Sequence, residues 1–221
     1  MKNKCLKLTP SMILKRGHYL YFACYWIYEK IIDYRISKKN LSTTIFNDAP
    51  EAFPVQSISY PYIHQLEKHL EFSDDDVFVD VGCAWGRLLG YIDSKFEIKK
   101  LIGVELNDDV AKQAKKIFET NNNIEIISGN IIENLPDEAT VFYLFNPFDA
   151  TVLRKFICEI EKRIKHEIKI LYLHPEYERE FERENWMLIE SHRLMPKHLG
   201  SIKLNIYKYA PRDLMDKKAE K

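Results

Sequence analysis

From residue 76 onward, short runs of apolar residues alternate with longer stretches in which apolar positions recur every third or fourth place. The runs "DVFVDV" (76–81), "KLIGVEL" (100–106), "NIEIIS" (123–128), "TVFYLF" (140–145) and "IKILYLH" (168–174) are rich in β-branched and aromatic residues. Near-continuous hydrophobicity over so few residues predicts strands covered on both faces. Between them, "GRLLGYIDSKF" carries Leu88, Leu89 and Ile92, and "DDVAKQAKKIFE" carries Val110, Ala111, Ala114, Ile117 and Phe118. "DATVLRKFICEIEKRI" carries Val152, Leu153, Phe156, Ile157, Ile160 and Ile164, again at helical spacing. Asn107 is placed to cap the second of these helices, with Asp108 and Asp109 in its first turn. Buried strands alternating with helices pair in parallel, because each crossover needs a helix and each face needs a cover.

The end of the chain departs from this pattern. "WMLIESHRL" (186–194) and "SIKLNIYKY" (201–209) are separated only by "MPKHLG", too short a link for a helical crossover, and Ile202, Leu204 and Ile206 alternate with polar residues. An antiparallel hairpin is expected there, closing one edge of a mostly parallel α/β sheet. At the other end, "YLYFACYWIY" (19–28) follows Lys15, Arg16 and His18 and predicts a helical extension. Ten residues fall short of the ~30 Å hydrocarbon core, so no transmembrane helix is expected, and no small-residue cleavage site marks a signal peptide. The helix either packs on the body of the protein or lies in a membrane interface, where tryptophan, tyrosine and basic residues are favoured. "SKKNLSTTIFNDAPEAFP" (37–54) is the one linker-like stretch, and "APRDLMDKKAEK" is a charged tail. The division is therefore a helical extension and linker over 1–50, one α/β domain over 51–210, and a tail over 211–221.

The 221 residues are 46% apolar, enough for one good core. Thirty-three basic and 33 acidic residues cancel, so no global charge drives the chain toward nucleic acid or anionic lipid. Cys5, Cys24, Cys83 and Cys158 are scattered and form no C-x-x-C pair, which argues against a disulfide framework or a cysteine zinc site and suits a reducing cytoplasm. His64 and His69, five apart on one predicted helix, would not share a face, so no metal site is expected.

The candidate chemistry begins in "VFVDVGCAWGRLLGY" (77–91), where the first strand runs into a glycine-bearing turn. In open α/β sheets such a turn, beyond the carboxyl ends of the strands, is the usual ligand cradle. A P-loop is disfavoured because the Gly82-to-Gly86 spacing is one residue short and Arg87 stands where lysine belongs. A dinucleotide fingerprint, and with it a nicotinamide-dependent oxidoreductase, is disfavoured because Ala84 and Trp85 do not supply G-x-G-x-x-G. Arg87 itself is expected in an ordinary ion pair on the helix surface. Two further carboxyl-end residues come into register: Glu105 closes the second strand, where a carboxylate can accept the hydroxyls of a ribose, and Asn130 follows the third.

Asp80, Gly82, Ala84 and Gly86 resemble the D-x-G-x-G-x-G motif of class I S-adenosylmethionine-dependent methyltransferases, with Ala84 in place of the middle glycine. The order "IIDYR", "SYPYIHQLEKHL", "DVGCAWGRLLG", "GVEL", "LFNPF" is similar to a bacterial group of these enzymes. The resemblance covers about residues 60–209. It implies a Rossmann-like class I methyltransferase sheet with an N-terminal helical extension, and S-adenosyl-L-methionine as cofactor. The cofactor set it implies is Asp80, Gly82, Cys83, Ala84, Gly86, Glu105, Leu106, Asn130, Ile131 and Asn146. "YLFNPFD" resembles the [D/N]-P-P-[Y/F/W] motif of enzymes that methylate amino nitrogen, one proline short. It makes Asn146, Pro147 and Phe148 candidates for holding the acceptor, with an amine favoured over a hydroxyl. His174, at the end of the fifth strand, is the candidate base for a hydroxyl acceptor. Tyr60 and Tyr62 are expected to pack, although the resemblance implies that their segment covers the cofactor. The acceptor itself is not legible, and there is no strong nucleic-acid signal. The alternative is a non-catalytic or membrane-associated binding protein that keeps the methyltransferase fold.

Overall fold

The computed structural model describes residues 19–38, 41, 44–45, 55–196 and 199–212. The basic flank at Lys15, Arg16 and His18, Cys5, most of the linker-like stretch and tail residues 213–221 lie outside the described residues. In chain order the elements are α1 (Tyr19–Ser37), β1 (Thr44–Ile45), β2 (Val55–Gln56), α2 (Tyr60–Leu66), a 3-10 turn (Glu67–His69), β3 (Val77–Val81), α3 (Arg87–Asp93), β4 (Lys100–Glu105) and α4 (Asp108–Ile117). They continue with β5 (Ile124–Ser128), β6 (Val141–Phe145), α5 (Ala150–Arg163), β7 (Ile168–Leu173), a 3-10 turn (Glu178–Phe181), β8 (Trp186–Leu194) and β9 (Ile202–Tyr209).

Seven strands form one sheet in the order β5-β4-β3-β6-β7-β9-β8. The first five are parallel; β9 runs antiparallel to both β7 and β8, as the alternation and the short final link predict. This is the Rossmann-like class I methyltransferase sheet. Side chains alternate between its two faces. Phe78, Leu101, Ile126, Tyr143 and Leu171 pack beneath α2, α3 and α4, while Val79, Ile102, Phe142, Ile170 and Tyr172 pack beneath α5. Asn107 caps α4 by accepting from the Asp109 and Val110 N–H groups, and Asp149 caps α5 by accepting from Val152 N–H.

Helix α1 docks on the first face through a mixed surface. Ile32 and Ile36 join the core, with Ile36 against Gly90 of α3. Beside them, Glu29 and Asp33 reach Arg87, and this overturns the surface ion pair expected of that residue. Arg87 is 1% exposed. Its Nε and Nη2 donate to the two oxygens of Asp33 at 3.0 and 2.9 Å, and its Nη1 donates to Glu29 Oε2 at 3.2 Å and to the Ile58 carbonyl at 3.0 Å. The guanidinium lies 4.8 Å from the centre of the Tyr60 ring. A local reading of helix α3 sees only an arginine in its first turn; the acids that bury it are more than fifty residues upstream.

The outward side of α1 is apolar. Trp26 and Tyr34 are each 61% exposed, alongside Ile27 and Ile31, with Lys30 over the Trp26 ring and Lys38 over the Tyr34 ring. No described helix is long and apolar enough to cross a membrane.

Candidate active site

The strand order places β4 and β5 on one side of β3 and β6 and β7 on the other, so the chain reverses its winding between β3 and β6. Crevices at such reversals are where open α/β sheets bind ligands. The turn after β3 is built for close approach. Gly82 takes φ +80°, and its N–H donates to the Val104 carbonyl at 2.8 Å. A side chain on Gly86, at φ +77°, would sit 2.5 Å from the Phe118 ring. Ala84 also has a positive φ, 51°, the conformation that makes glycine the usual residue at that point of the motif.

Asp80, one residue before the end of β3, lies beside Gly103 and Tyr143 in the sheet register and is almost wholly buried. Burial, reinforced by Glu105, pushes its carboxyl up to about 8. Glu105 is raised as well, by burial first, while backbone donors counteract: its Oε2 accepts from Ala84 N–H at 3.0 Å and its Oε1 from Asn107 N–H at 2.8 Å. Glu105 thus fastens the turn after β3 to the start of α4. Cys83 is driven well above the usual thiol range by burial and by the two acids, so it stays a protonated, inert wall.

A cleft opens here, lined by Asp80, Gly82, Cys83, Arg87, Tyr143 and Phe145, and closed on one side by residues 56–58. Of these, Arg87, Tyr143, Phe145 and residues 56–58 are absent from the site set read in the sequence. Tyr143 left a trace, as the one hydroxyl inside an otherwise apolar strand. Its hydroxyl is buried with no partner among the described residues. Phe145, 38% exposed, is the exposed aromatic on the cleft wall. Phe148 instead turns toward α5, its ring 5.7 Å from that of Phe156.

The turn after β6 meets the turn after β3. Pro147 lies 3.4 Å from where a side chain on Gly82 would begin. Asn146 before it is buried with φ +43°, and its Oδ1 accepts from the Tyr172 hydroxyl at 2.9 Å, which fixes the amide. Strained backbone held by such a partner is characteristic of functional turns.

The remaining residues read from the sequence are dispersed. Leu106 is 52% exposed at the strand end next to Glu105. The Asn130 Oδ1 accepts from Ile132 N–H, closing its own turn, and Gly129 N–H donates to the Glu105 carbonyl. Ile131 packs in the core under α5. His174, at φ +54°, is half exposed with Nδ1 3.6 Å from Glu176 and does not line the cleft. Tyr60 is fully buried and donates to Asp33, while Tyr62 donates to the Gly200 carbonyl, so both are packing residues and the cleft is covered by residues 56–58 just before them.

Sheet, turn and switch-point cleft together define a class I methyltransferase fold. Residues 56–186 match the family described as histone methylation protein DOT1, and the chain belongs to that family. A protein-lysine N-methyltransferase of Saccharolobus islandicus strain REY15A is 29% identical over 136 aligned residues, covering 57% of this chain and 80% of the relative. Among solved structures, an RNA methyltransferase from Salinibacter ruber in complex with S-adenosyl-L-homocysteine superimposes with a TM-score of 0.54 at 18% identity, over 70% of this chain and 94% of that one. The mitomycin 7-O-methyltransferase MmcR superimposes with a TM-score of 0.55 at 17% identity; 67% of this chain is covered, and the chain spans about half, 53%, of that structure.

The cleft fits the cofactor of this class, S-adenosyl-L-methionine. Among the described residues no cation supports ionisation of Asp80 and the Tyr143 hydroxyl lacks a partner, and Glu105 keeps lone pairs beyond those engaged by backbone N–H groups. A cationic ligand with an amino-acid end and a ribose answers all three. This yields a pH prediction. Because the folded Asp80 carboxyl lies above its unfolded value near 3.9, its contribution to the stability of the ligand-free protein is full below about pH 4 and is lost as pH rises through about 8. Asp80→Asn should flatten that decline and be more stable than wild type at pH 8 in thermal melts. Affinity for S-adenosylmethionine should rise from pH 6 to 8 in wild type, by up to about tenfold per unit, and stay flat in Asp80→Asn.

Proposed function

We propose that this chain transfers a methyl group from S-adenosylmethionine to the side-chain amine of a lysine in a protein. The observation that carries the proposal is the meeting of the Gly82 turn, which lines the cleft, with Pro147, so that the turn holding Asn146 and its Tyr172 partner adjoins the cleft wall that carries the exposed Phe145 ring. Family membership and the protein-lysine N-methyltransferase among its relatives support the acceptor class. The cofactor supplies an electrophilic methyl on a sulfonium, and an unprotonated amine attacks it in line. The chain's part is alignment: a second lone pair on Asn146 Oδ1 and the adjacent carbonyl accept N–H groups and leave the nitrogen lone pair free, while Phe145 holds the aliphatic stem.

Incubation of the full chain with methyl-labelled S-adenosylmethionine and lysine-rich protein tests this. Methyllysine in the digested product is expected. Label found only in ethers or esters would reject the amine.

The outer face of α1 favours a second element of function, contact with a lipid surface. Trp26, Ile27, Ile31 and Tyr34 present an aromatic and aliphatic stripe edged by Lys30, Arg35 and Lys38, the composition that lies in anionic membrane interfaces. The full chain should float with vesicles containing phosphatidylserine, and Trp26→Glu with Tyr34→Glu should abolish flotation while leaving cofactor binding intact. A full chain that stays at the bottom of the gradient contradicts lipid contact.

A further inference from the structure

Strand β8 changes face partway along. Trp186 packs with Tyr209 in the core under α5, whereas Leu194 packs in the core under α2 and α3, yet strict alternation would keep residues 186, 188, 190, 192 and 194 on one face. The switch occurs at an irregularity between Leu188 and Glu190, whose β9 partners Tyr207 and Ile206 are consecutive, so Ile189 is an extra residue. Bulges of this kind re-aim the side chains that follow them. Here the residues re-aimed are Glu190 and His192, two apart on one strand and now on the side of the sheet that carries α2.

The 3-10 turn after α2 brings His69 to meet them. The His69 and His192 rings are stacked with centroids 3.9 Å apart, and His192 Nε2 lies 2.6 Å from Glu190 Oε2. One ligand atom from each of the three residues falls within 4.8 Å of the other two. We propose that His69, Glu190 and His192 form a binding site for a divalent transition-metal ion, zinc in the first instance. Two imidazoles and a carboxylate are a common set of three protein ligands for zinc, with water completing the shell. Around a tetrahedral ion at about 2.0–2.2 Å from each ligand, donor atoms stand roughly 3.4 Å apart. Closing the three donors onto one ion therefore requires side-chain rotation of about 1 Å, and both His192 and Glu190 are open enough to solvent to rotate and to admit the ion.

None of the three residues lines the cofactor cleft, so the ion would act as a clamp and not as a catalyst. The tie runs from the end of α2, whose approach forms the cleft wall at residues 56–58, to the edge hairpin. Tyr62 already makes one such tie, donating to Gly200 at 2.5 Å. The metal would add a second at the far end of the same segment.

Calorimetric titration of the full chain with zinc sulfate, after removal of trace metal with a chelating resin, tests the proposal. One equivalent should bind, zinc should raise the melting temperature, and His69→Ala and His192→Ala should each lower affinity by more than about 100-fold, beyond the roughly 10–100-fold usual for loss of a group that only supports a ligand. His64→Ala should leave it unchanged. A measurement on wild type guards against misfolded variants: in histidine-selective NMR, saturating zinc should shift the His69 and His192 imidazole signals and leave His64 in place. Unchanged affinity in both alanine variants, or zinc shifts confined to other histidines, would overturn the site.

Discussion

Replacing Arg87 with alanine is expected to remove about 3–5 kcal/mol of stability, the usual cost of breaking a buried ion pair from one side. Asp33 is wholly buried, and besides the guanidinium it accepts from the Tyr60 hydroxyl and from Leu41 N–H. Glu29 accepts from Tyr60 N–H and the Tyr25 hydroxyl. Without Arg87, two carboxylates are left sharing one poorly solvated region, and the Ile58 carbonyl loses its donor. Domains have about 5–15 kcal/mol of stability in all, so urea unfolding should be followed at low temperature. Combining Arg87→Met with Glu29→Gln and Asp33→Asn should recover much of the loss, because no uncompensated charge remains. A loss below about 1 kcal/mol in Arg87→Ala would mean that α1 is not held to the body by this network.

The second large effect is on rate. Asn146→Ala should lower kcat about 100-fold while changing cofactor affinity little, since misalignment of a reacting group by an ångström costs that much. The side chain is fixed by Tyr172, so Tyr172→Phe should reproduce part of the loss through Asn146 without touching the acceptor. A tenfold weaker cofactor with an unaltered rate would instead place Asn146 among cofactor ligands alone. Steady-state kinetics with a lysine-containing acceptor separates the two.

The strands, the helices between them and the edge hairpin were legible because each carries its own period, and the turn at Asp80, Gly82 and Gly86 because backbone shape dictates glycine there. Glu105 and Asn146 were legible as strand ends in register. What escaped depends on distant pairings. Arg87 reads as a surface residue until Asp33 and Glu29 are folded onto it. Phe148 reads as the cleft aromatic, but a residue's face at the end of β6 is set by where the strand stops, and Phe145 takes that position. His69 shows no metal partner at helical spacing because its neighbours arrive from β8, turned by a one-residue bulge that no periodicity announces.

The measurement that bears most directly on the assignment is calorimetric titration of the full chain with S-adenosyl-L-homocysteine. One site should bind it, S-adenosylmethionine should compete and NAD should not, and Glu105→Ala should weaken binding roughly 10–100-fold by removing a charged acceptor. A folded chain that gives no heat with S-adenosylhomocysteine, or a Glu105→Ala variant that binds it as tightly as wild type, would contradict a methyltransferase site at the meeting of the β3 and β6 turns.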